Sequence, residues 1–273
     1  MEIIVQSSRF RKLILDFYEK YGRRHLPWRH TRDPYHILVS EIMLQQTQVE
    51  RVIGKYWEFI EKFPNFKSLA QASTAQVLKA WSGLGYNRRA LYLKRTAERV
   101  TAEFKEKLPR DLTVLVDLPG VGPNTAAAIC AYAFNMPVAF IETNIRRIFI
   151  HHFFPKKRNV RDADILPLVR KTLDMKRPRE WYSALMDYGA HLKGEVENPN
   201  RRSGQYAKQS KFEGSDRQLR GRILKLLLVR GRMDARQLAR GAGEPVVRVG
   251  RILDALLAER FIREDAAGRM LIV

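Results

Sequence analysis

Two stretches of the 273-residue sequence hold residue types that could do chemistry. The first is Leu118-Pro119-Gly120-Val121-Gly122-Pro123-Asn124-Thr125. Two glycines bracket one apolar residue, so the backbone can turn sharply and come close to a ligand. Pro123 suits the first turn of a following helix. The N–H groups of Gly120 and Gly122, with that helix's N-terminus, can cradle a phosphate. The carbonyls of Val116, Leu118 and Val121 are candidates to hold a Na, K or Ca ion against the same phosphate. A plain tight turn between helices reads alike when taken alone. The second stretch is Ser40-Glu41-Ile42-Met43-Leu44-Gln45-Gln46-Thr47-Gln48-Val49. Glu41 sits there among apolar and amide side chains. Burial in such a run raises a carboxyl pKa and keeps the group partly protonated near neutrality, as a proton donor requires. A capping or ion-paired Glu is the plain alternative.

The charge balance favours the phosphate reading. Lys and Arg number 50 against 29 Asp and Glu, a net charge of +21. Such a surplus favours a polyanionic partner, nucleic acid first and an anionic membrane surface second. It is spread along the chain, with +13 over residues 1–192 and +8 over residues 193–273. In that context the Gly-rich turn reads as a helix–hairpin–helix that grips a DNA backbone without reading its sequence. One cysteine, Cys130, rules out an internal disulfide framework and a thiolate metal cluster, and fits a reducing compartment. The start of the chain lacks a signal-peptide pattern, and Leu224 to Val229 is too short an apolar run to span a bilayer. A cytoplasmic monomer is expected.

The elements that must position these residues read as mainly α. Helical spacing covers residues 8–21, and a long tract covers 35–63 with Pro64 as its stop. Shorter helices follow at 67–72, 74–82 and 88–106, with Gly83, Gly85 and Asn87 marking the turn before the last. Helices at 111–117 and 123–135 flank the Gly-rich turn, and 143–153, 162–175 and 179–193 complete the set. Residues 194–212 are polar and irregular and read as a linker or DNA-tracking loop. Helices at 216–230, 234–241 and 245–259 then lead to a hairpin over 261–273, the order of a winged helix. The expected domains are therefore 1–193 and a basic 213–273.

The order of motifs resembles a known superfamily. Ser40–Val49, Gly83-Leu84-Gly85-Tyr86, the hairpin and Glu142-Thr143-Asn144-Ile145-Arg146-Arg147 are similar to the helix–hairpin–helix DNA glycosylases, which include endonuclease III. LPWR, SEIMLQQTQV, WSGLGY, LPGVG and LMDYGA look most like the MutY-type adenine DNA glycosylases. The resemblance is read over residues 10–192 and not beyond. It implies a two-lobed glycosylase fold and a base-excision enzyme acting on double-stranded DNA with a mismatched or damaged base, without membrane contact. Adenine would be removed by water from a mismatched pair, with the opposite base, G or 8-oxoguanine, left open because the C-terminus carries the winged-helix order in place of the family's β-rich reader of 8-oxoguanine.

Roles then follow by resemblance. Glu41 would protonate the base and later activate water. Glu142 would stabilise the cationic sugar, although the family carries Asp there, and Asn144 would orient it. Asn124 stands where bifunctional members carry a nucleophilic Lys, which implies hydrolysis without strand cleavage. Trp28, Arg29 and Leu44 would line the adenine pocket, with Asp187 near its polar edge. Gln45, Gln46 and Tyr86 would enter or flank the opened duplex. Gly120, Val121, Gly122, Thr125 and Arg146 would meet the backbone. The family's four iron–sulfur cysteines are missing, so no cofactor is expected. Two other readings fit less well: a T or U glycosylase opposite G, and a non-catalytic winged-helix DNA-damage sensor.

Overall fold

The computed structural model describes residues 2–208 and 210–273, with side chains described from Ser7 onward. The chain is mainly helical. Its helices are α1 (Glu2–Tyr21), α2 (Pro34–Leu44), α3 (Val49–Lys62), α4 (Phe66–Gln71), α5 (Thr74–Ala80), α6 (Arg88–Glu103) and α7 (Leu112–Val116). Then come α8 (Pro123–Phe134), α9 (Thr143–Phe153), α10 (Asp162–Thr172), α11 (Pro178–Glu195), α12 (Asp216–Arg230), α13 (Ala235–Ala242) and α14 (Val246–Ala258). A hairpin of β1 (Ile262–Glu264) and β2 (Met270–Ile272) follows. The starts of several helices are encoded locally. Asn65 with Ser68, Ser73 with Gln76, and Asp234 with Gln237 form reciprocal capping boxes.

The long helical tract expected over 35–63 is corrected to two helices. The chain leaves α2 after Leu44, Gln46 adopts φ 52°, and Gln48 is extended at the start of α3. The physical reason lies in Gln45 to Gln48, which supply no apolar side chain to hold a helix on the core. This break turns Gln45 and Gln46 into loop residues.

The chain divides into two compact units, residues 1–42 with 108–208 and residues 43–107 with 209–273. In the first, α1, α8, α9, α10 and α11 enclose a core that includes Phe10, Ile14, Ala131, Ile145, Phe149, Trp181 and Tyr182. In the second, Phe59 and Trp81 pack edge to face beneath α3 and α5, while α6 lies along α4. Leu219, Ile223, Leu227, Leu253 and Phe261 bury the centre of α12, α14 and the hairpin. The hairpin is antiparallel, with Ile262 opposite Ile272 and Glu264 opposite Met270. Met233 adds a bridge to Met270.

These units do not follow the boundaries read at 193 and 213. The C-terminal helices group with residues 43–107, and Glu259 shows why. Its carboxylate accepts paired hydrogen bonds from Arg88 of α6 and from Arg220 of α12, at 2.6–3.0 Å. Arg95 of α6 also donates to the Glu259 carbonyl at 3.1 Å. The first part of the expected linker is likewise structured. Pro199–Arg202 forms a 3-10 turn in which Asn200 is buried and donates to the Thr143 carbonyl at 3.0 Å. Arg202 donates to the Phe154 and Pro155 carbonyls, and Ser203 pairs with Val160. The polar residues there are spent on the backbone of α9 and its neighbours rather than on solvent.

Candidate active site

The two carboxylates lie in the first unit, where the charge of Glu142 is felt at Glu41. Glu41 lies near the end of α2, half-buried, and among the described residues no hydrogen bond or ion pair reaches its carboxyl group. Desolvation raises its pKa to about 7, the charge of Glu142 adds to the rise, and Arg29 opposes it. A carboxyl group in this state is half protonated at neutrality and can give up a proton there.

Glu142 caps α9. Its Oε1 accepts the N–H of Asn144 at 2.6 Å and of Ile145 at 3.0 Å. Glu is longer than the usual capping residues, and the extra methylene is taken up by folding the carboxylate back onto its own helix. Both bonds go to Oε1, which leaves Oε2 for another partner. Desolvation pushes Glu142 above its ordinary value, while the N–H groups of Ile145 and Asn144 and the charges of Arg147 and Arg146 pull it down.

Asn144 meets Glu142 through its backbone N–H. Its side chain points to other partners: Oδ1 accepts from Arg147 at 2.7 Å, and Nδ2 contacts the Met186 sulfur at 3.8 Å. Arg147 also donates to the Gly189 carbonyl at 2.6 Å. A Cβ on Gly189 would stand 2.7 Å from the Asn144 Cβ and 2.9 Å from the Asn144 carbonyl oxygen. Gly189 in α11 therefore lets the start of α9, which carries Glu142, come close.

Asp187, expected near the polar edge of a base pocket, is engaged with two arginines of the first unit. It is 3 % exposed and accepts from the Arg23 backbone N–H at 2.8 Å and side chain at 2.9 Å. Arg29 donates to the same carboxylate at 3.1 Å and to the Ser183 carbonyl. Asp187 thus holds Arg29, the cation that opposes protonation of Glu41. Trp28 is buried beside it in a 3-10 turn, Pro27–Arg29. Tyr132 of α8 is buried within the field of Arg29, Glu41, Glu142 and Asp187, and desolvation raises its pKa well above the usual tyrosine value.

The hairpin has the expected geometry. Gly120 sits at φ 75°, a conformation glycine adopts without strain. Leu118 and Val121 are buried and anchor the turn, with Val121 N–H on the Leu118 carbonyl at 3.1 Å. That bond uses one lone pair of one of the three carbonyls expected to face a cation. Gly122, Pro123 and Asn124 are exposed and Thr125 half-buried at the N-terminus of α8. Arg146 is held by Asp162 in a two-pronged pair at 2.7 Å, and its side chain is 16 % exposed. Its charge is engaged by that carboxylate in the DNA-free protein.

The second unit carries the loops expected to enter DNA. Gln46 has φ 52° and Tyr86 φ 46°, left-handed values that cost a non-glycine residue energy. One residue that sequence reasoning missed ties these loops together. Arg89 is 8 % exposed and donates to the carbonyls of Met43, Gln45, Leu84 and Gly85 and to the Thr47 hydroxyl. Burial lowers its pKa to about 10, so it remains a cation at neutral pH. Its guanidinium also lies over the Tyr86 ring, and Arg217 of α12 donates to the Tyr86 hydroxyl at 2.8 Å. Leu44, half-buried at the end of α2, falls in this unit. Nothing in the sequence separates Arg89 from its neighbour Arg88; only burial does.

The cluster that the resemblance implies does not fit this chain. Cys130 is its sole cysteine and is packed inside α8. Among the described residues, no group of His, Cys, Asp and Glu could hold a metal ion. No helix among them is long and apolar enough to cross a membrane.

Comparison with known proteins agrees with this geometry. The pattern of the HhH-GPD superfamily of base excision DNA repair proteins matches residues 39–165. Adenine DNA glycosylase of Buchnera aphidicola subsp. Baizongia pistaciae is 37 % identical over 185 residues, 66 % of this chain and 52 % of its own length. The match thus spans about half of that relative. Adenine DNA glycosylase of Mycolicibacterium smegmatis is 33 % identical over 94 % of this chain and 93 % of its own. That coverage carries the similarity past residue 192, where the motif resemblance was read to stop. A solved thermostable thymine-DNA glycosylase superposes with a TM-score of 0.62 at 31 % identity, over 68 % of this chain and 86 % of its own. An endonuclease III–DNA complex shares the fold, with a TM-score of 0.55 at 16 % identity over 66 % of this chain and 84 % of that one. The chain belongs to the HhH-GPD superfamily of base excision DNA repair proteins, in the family of the adenine DNA glycosylases.

Proposed function

We propose that the protein is a monofunctional DNA glycosylase that hydrolyses adenine from mismatched duplex DNA. The observation that carries this reading is the coupled carboxylate pair, with Glu41 near pKa 7 and unpaired and Glu142 fixed at a helix N-terminus. Glu41 gives its proton to N7 of the extruded adenine. The C1′–N9 bond breaks, its electron pair leaves with the base, and the sugar becomes an oxocarbenium ion. Glu142 stabilises that cation through Oε2. Ionised Glu41 then takes a proton from water as the water oxygen bonds C1′. Asn124 offers no amine at the position where a Lys would attack C1′, which supports water as nucleophile. The hairpin grips the backbone, with a cation at its carbonyls where one binds. Gln46 and Tyr86, held by Arg89, fill the space left by the flipped nucleotide. Residues 216–272 form a winged-helix-like module, as the Met233 bridge to the hairpin supports.

A second reading has its own support, since the thymine-DNA glycosylase is also above 30 % identity. One panel separates the two. Duplexes with A·G, A·8-oxoguanine, T·G and U·G are incubated with the protein and treated with alkali. Cleavage at the A-containing pairs supports adenine excision, and cleavage only at T·G or U·G replaces it. Strand cleavage before alkali would refute the monofunctional step.

A further inference from the structure

The C-terminal module places seven arginines in its first two helices and the turn between them, and the structure sorts them by what they touch. Arg220 is held by Glu259. Arg222 pairs with Glu244 and donates to the Ala242 carbonyl. Arg217 binds Tyr86 and Ser210. The remaining four stay on the surface. Arg230, Arg232 and Arg240 line one pocket of about 470 Å³, together with Gln237, Met233 and Gly241. All three arginines are exposed, and among the described residues only Arg232 has an acidic neighbour, Asp265 at 3.8 Å, which Arg269 holds more closely at 3.0 Å. The fourth, Arg236, is exposed on α13 and is not part of the lining.

Three guanidinium groups around one concavity, two of them without an acidic partner among the described residues and the third sharing Asp265 with Arg269, repel each other unless an anion joins them. Their planar forks match phosphate oxygens, and Gln237 adds an amide donor. The module's third helix is a poorer match for a polyanion. It exposes Val246 and Val247, its Arg248 is tied to Asp216 and Glu244, and Arg251 alone adds an exposed guanidinium there, against three around the pocket. We propose that the Arg230–Arg232–Arg240 pocket is a second docking site for DNA backbone phosphates, separate from the hairpin. The proposal rests on the reading of the chain as a DNA glycosylase, and it assigns the module's grip on DNA to this pocket rather than to a recognition helix.

The test uses the full chain and an undamaged fluorescent duplex, so it does not depend on excision. Equilibrium affinity is measured from 50 to 300 mM salt for wild type, for the Arg230→Gln/Arg232→Gln/Arg240→Gln variant and for the matching triple Lys variant. Loss of three phosphate contacts lowers the slope of log K against log salt by about 2 to 3, and affinity at 100 mM salt by about tenfold or more. The Lys variant keeps most of the slope, which shows that charge rather than a folding defect is read. Two single variants control for bulk charge. Arg240→Gln costs more slope than Arg236→Gln, although each removes one positive charge. Equal effects of these two, or an unchanged slope in the triple Gln variant, overturn the proposal. The second outcome would leave the pocket to an acidic protein surface. Absence of adenine excision by the same preparations would defeat the proposed function without touching this result.

Discussion

Glu41→Gln separates the electrostatics of the site from its packing. The wild-type carboxyl titrates at about 7 in the folded protein, against an ordinary value of 4.5. An acid with a raised folded pKa binds more protons folded than unfolded, so its presence costs stability as pH rises from below 4.5 through 7. Between those two values the cost at pH 8 comes to about 3 kcal/mol, and at pH 5 to about 1 kcal/mol. Gln keeps the shape and never ionises, so it removes this pH-dependent part. The melting temperature of Glu41→Gln, measured against wild type across pH 5 to 8, should therefore gain ground by about 2 to 3 kcal/mol. For a chain of this size that is about 4 to 12 °C. The gain should coincide with loss of excision, since the group that destabilises the fold is the one that donates the proton. Part of the raised pKa comes from Glu142, so the gain should shrink in a Glu142→Gln background. A difference in melting temperature that stays flat from pH 5 to 8 would show that Glu41 is not a desolvated acid and would refute the reasoning.

Three further outcomes follow from named contacts. Glu142→Ala removes two backbone caps from α9 and should cost about 1 to 2 kcal/mol in denaturant melts, besides abolishing base release. A Glu142→Ala protein of full stability would contradict the cap. Gly189→Ala forces α11 against Asn144 at 2.7 Å and should cost about 1 to 3 kcal/mol together with excision rate; unaltered single-turnover kinetics would show that the close approach is unimportant. Arg89→Lys keeps the charge but cannot reach five acceptors in two loops. It should destabilise by about 3 kcal/mol and weaken duplex binding, and wild-type binding by this variant would detach Arg89 from the DNA loops.

The parts legible in the sequence are those encoded over a few neighbours. Gly120 and Pro123 announce the hairpin, helical spacing announces most helices to within a few residues, and the apolar surroundings of Glu41 announce its raised pKa. What stayed hidden depends on residues far apart in the chain. The pairing of Asp187 with Arg23 and Arg29 joins residues more than 150 positions apart, which no local pattern marks. Asn200 and Arg202 read as solvated linker because their acceptors are carbonyls of residues 143 to 155, which composition does not mark. The helix break at Gln45–Gln48 was missed for a different reason: glutamine is tolerated in helices, and only the lack of an apolar anchor ends α2 there. The four-residue interruption is what presents Gln46 at φ 52°.

The central claim is that the Glu41–Glu142 pair releases adenine from DNA. It is tested most directly by single-turnover adenine release from an A·G duplex, followed by chromatography of the free base, for wild type and Glu41→Gln at pH 7. The wild type should yield free adenine, and Glu41→Gln a rate at least about 100-fold lower, the loss expected for a missing general acid. Release at the wild-type rate by Glu41→Gln, or no adenine from the wild type, would contradict it.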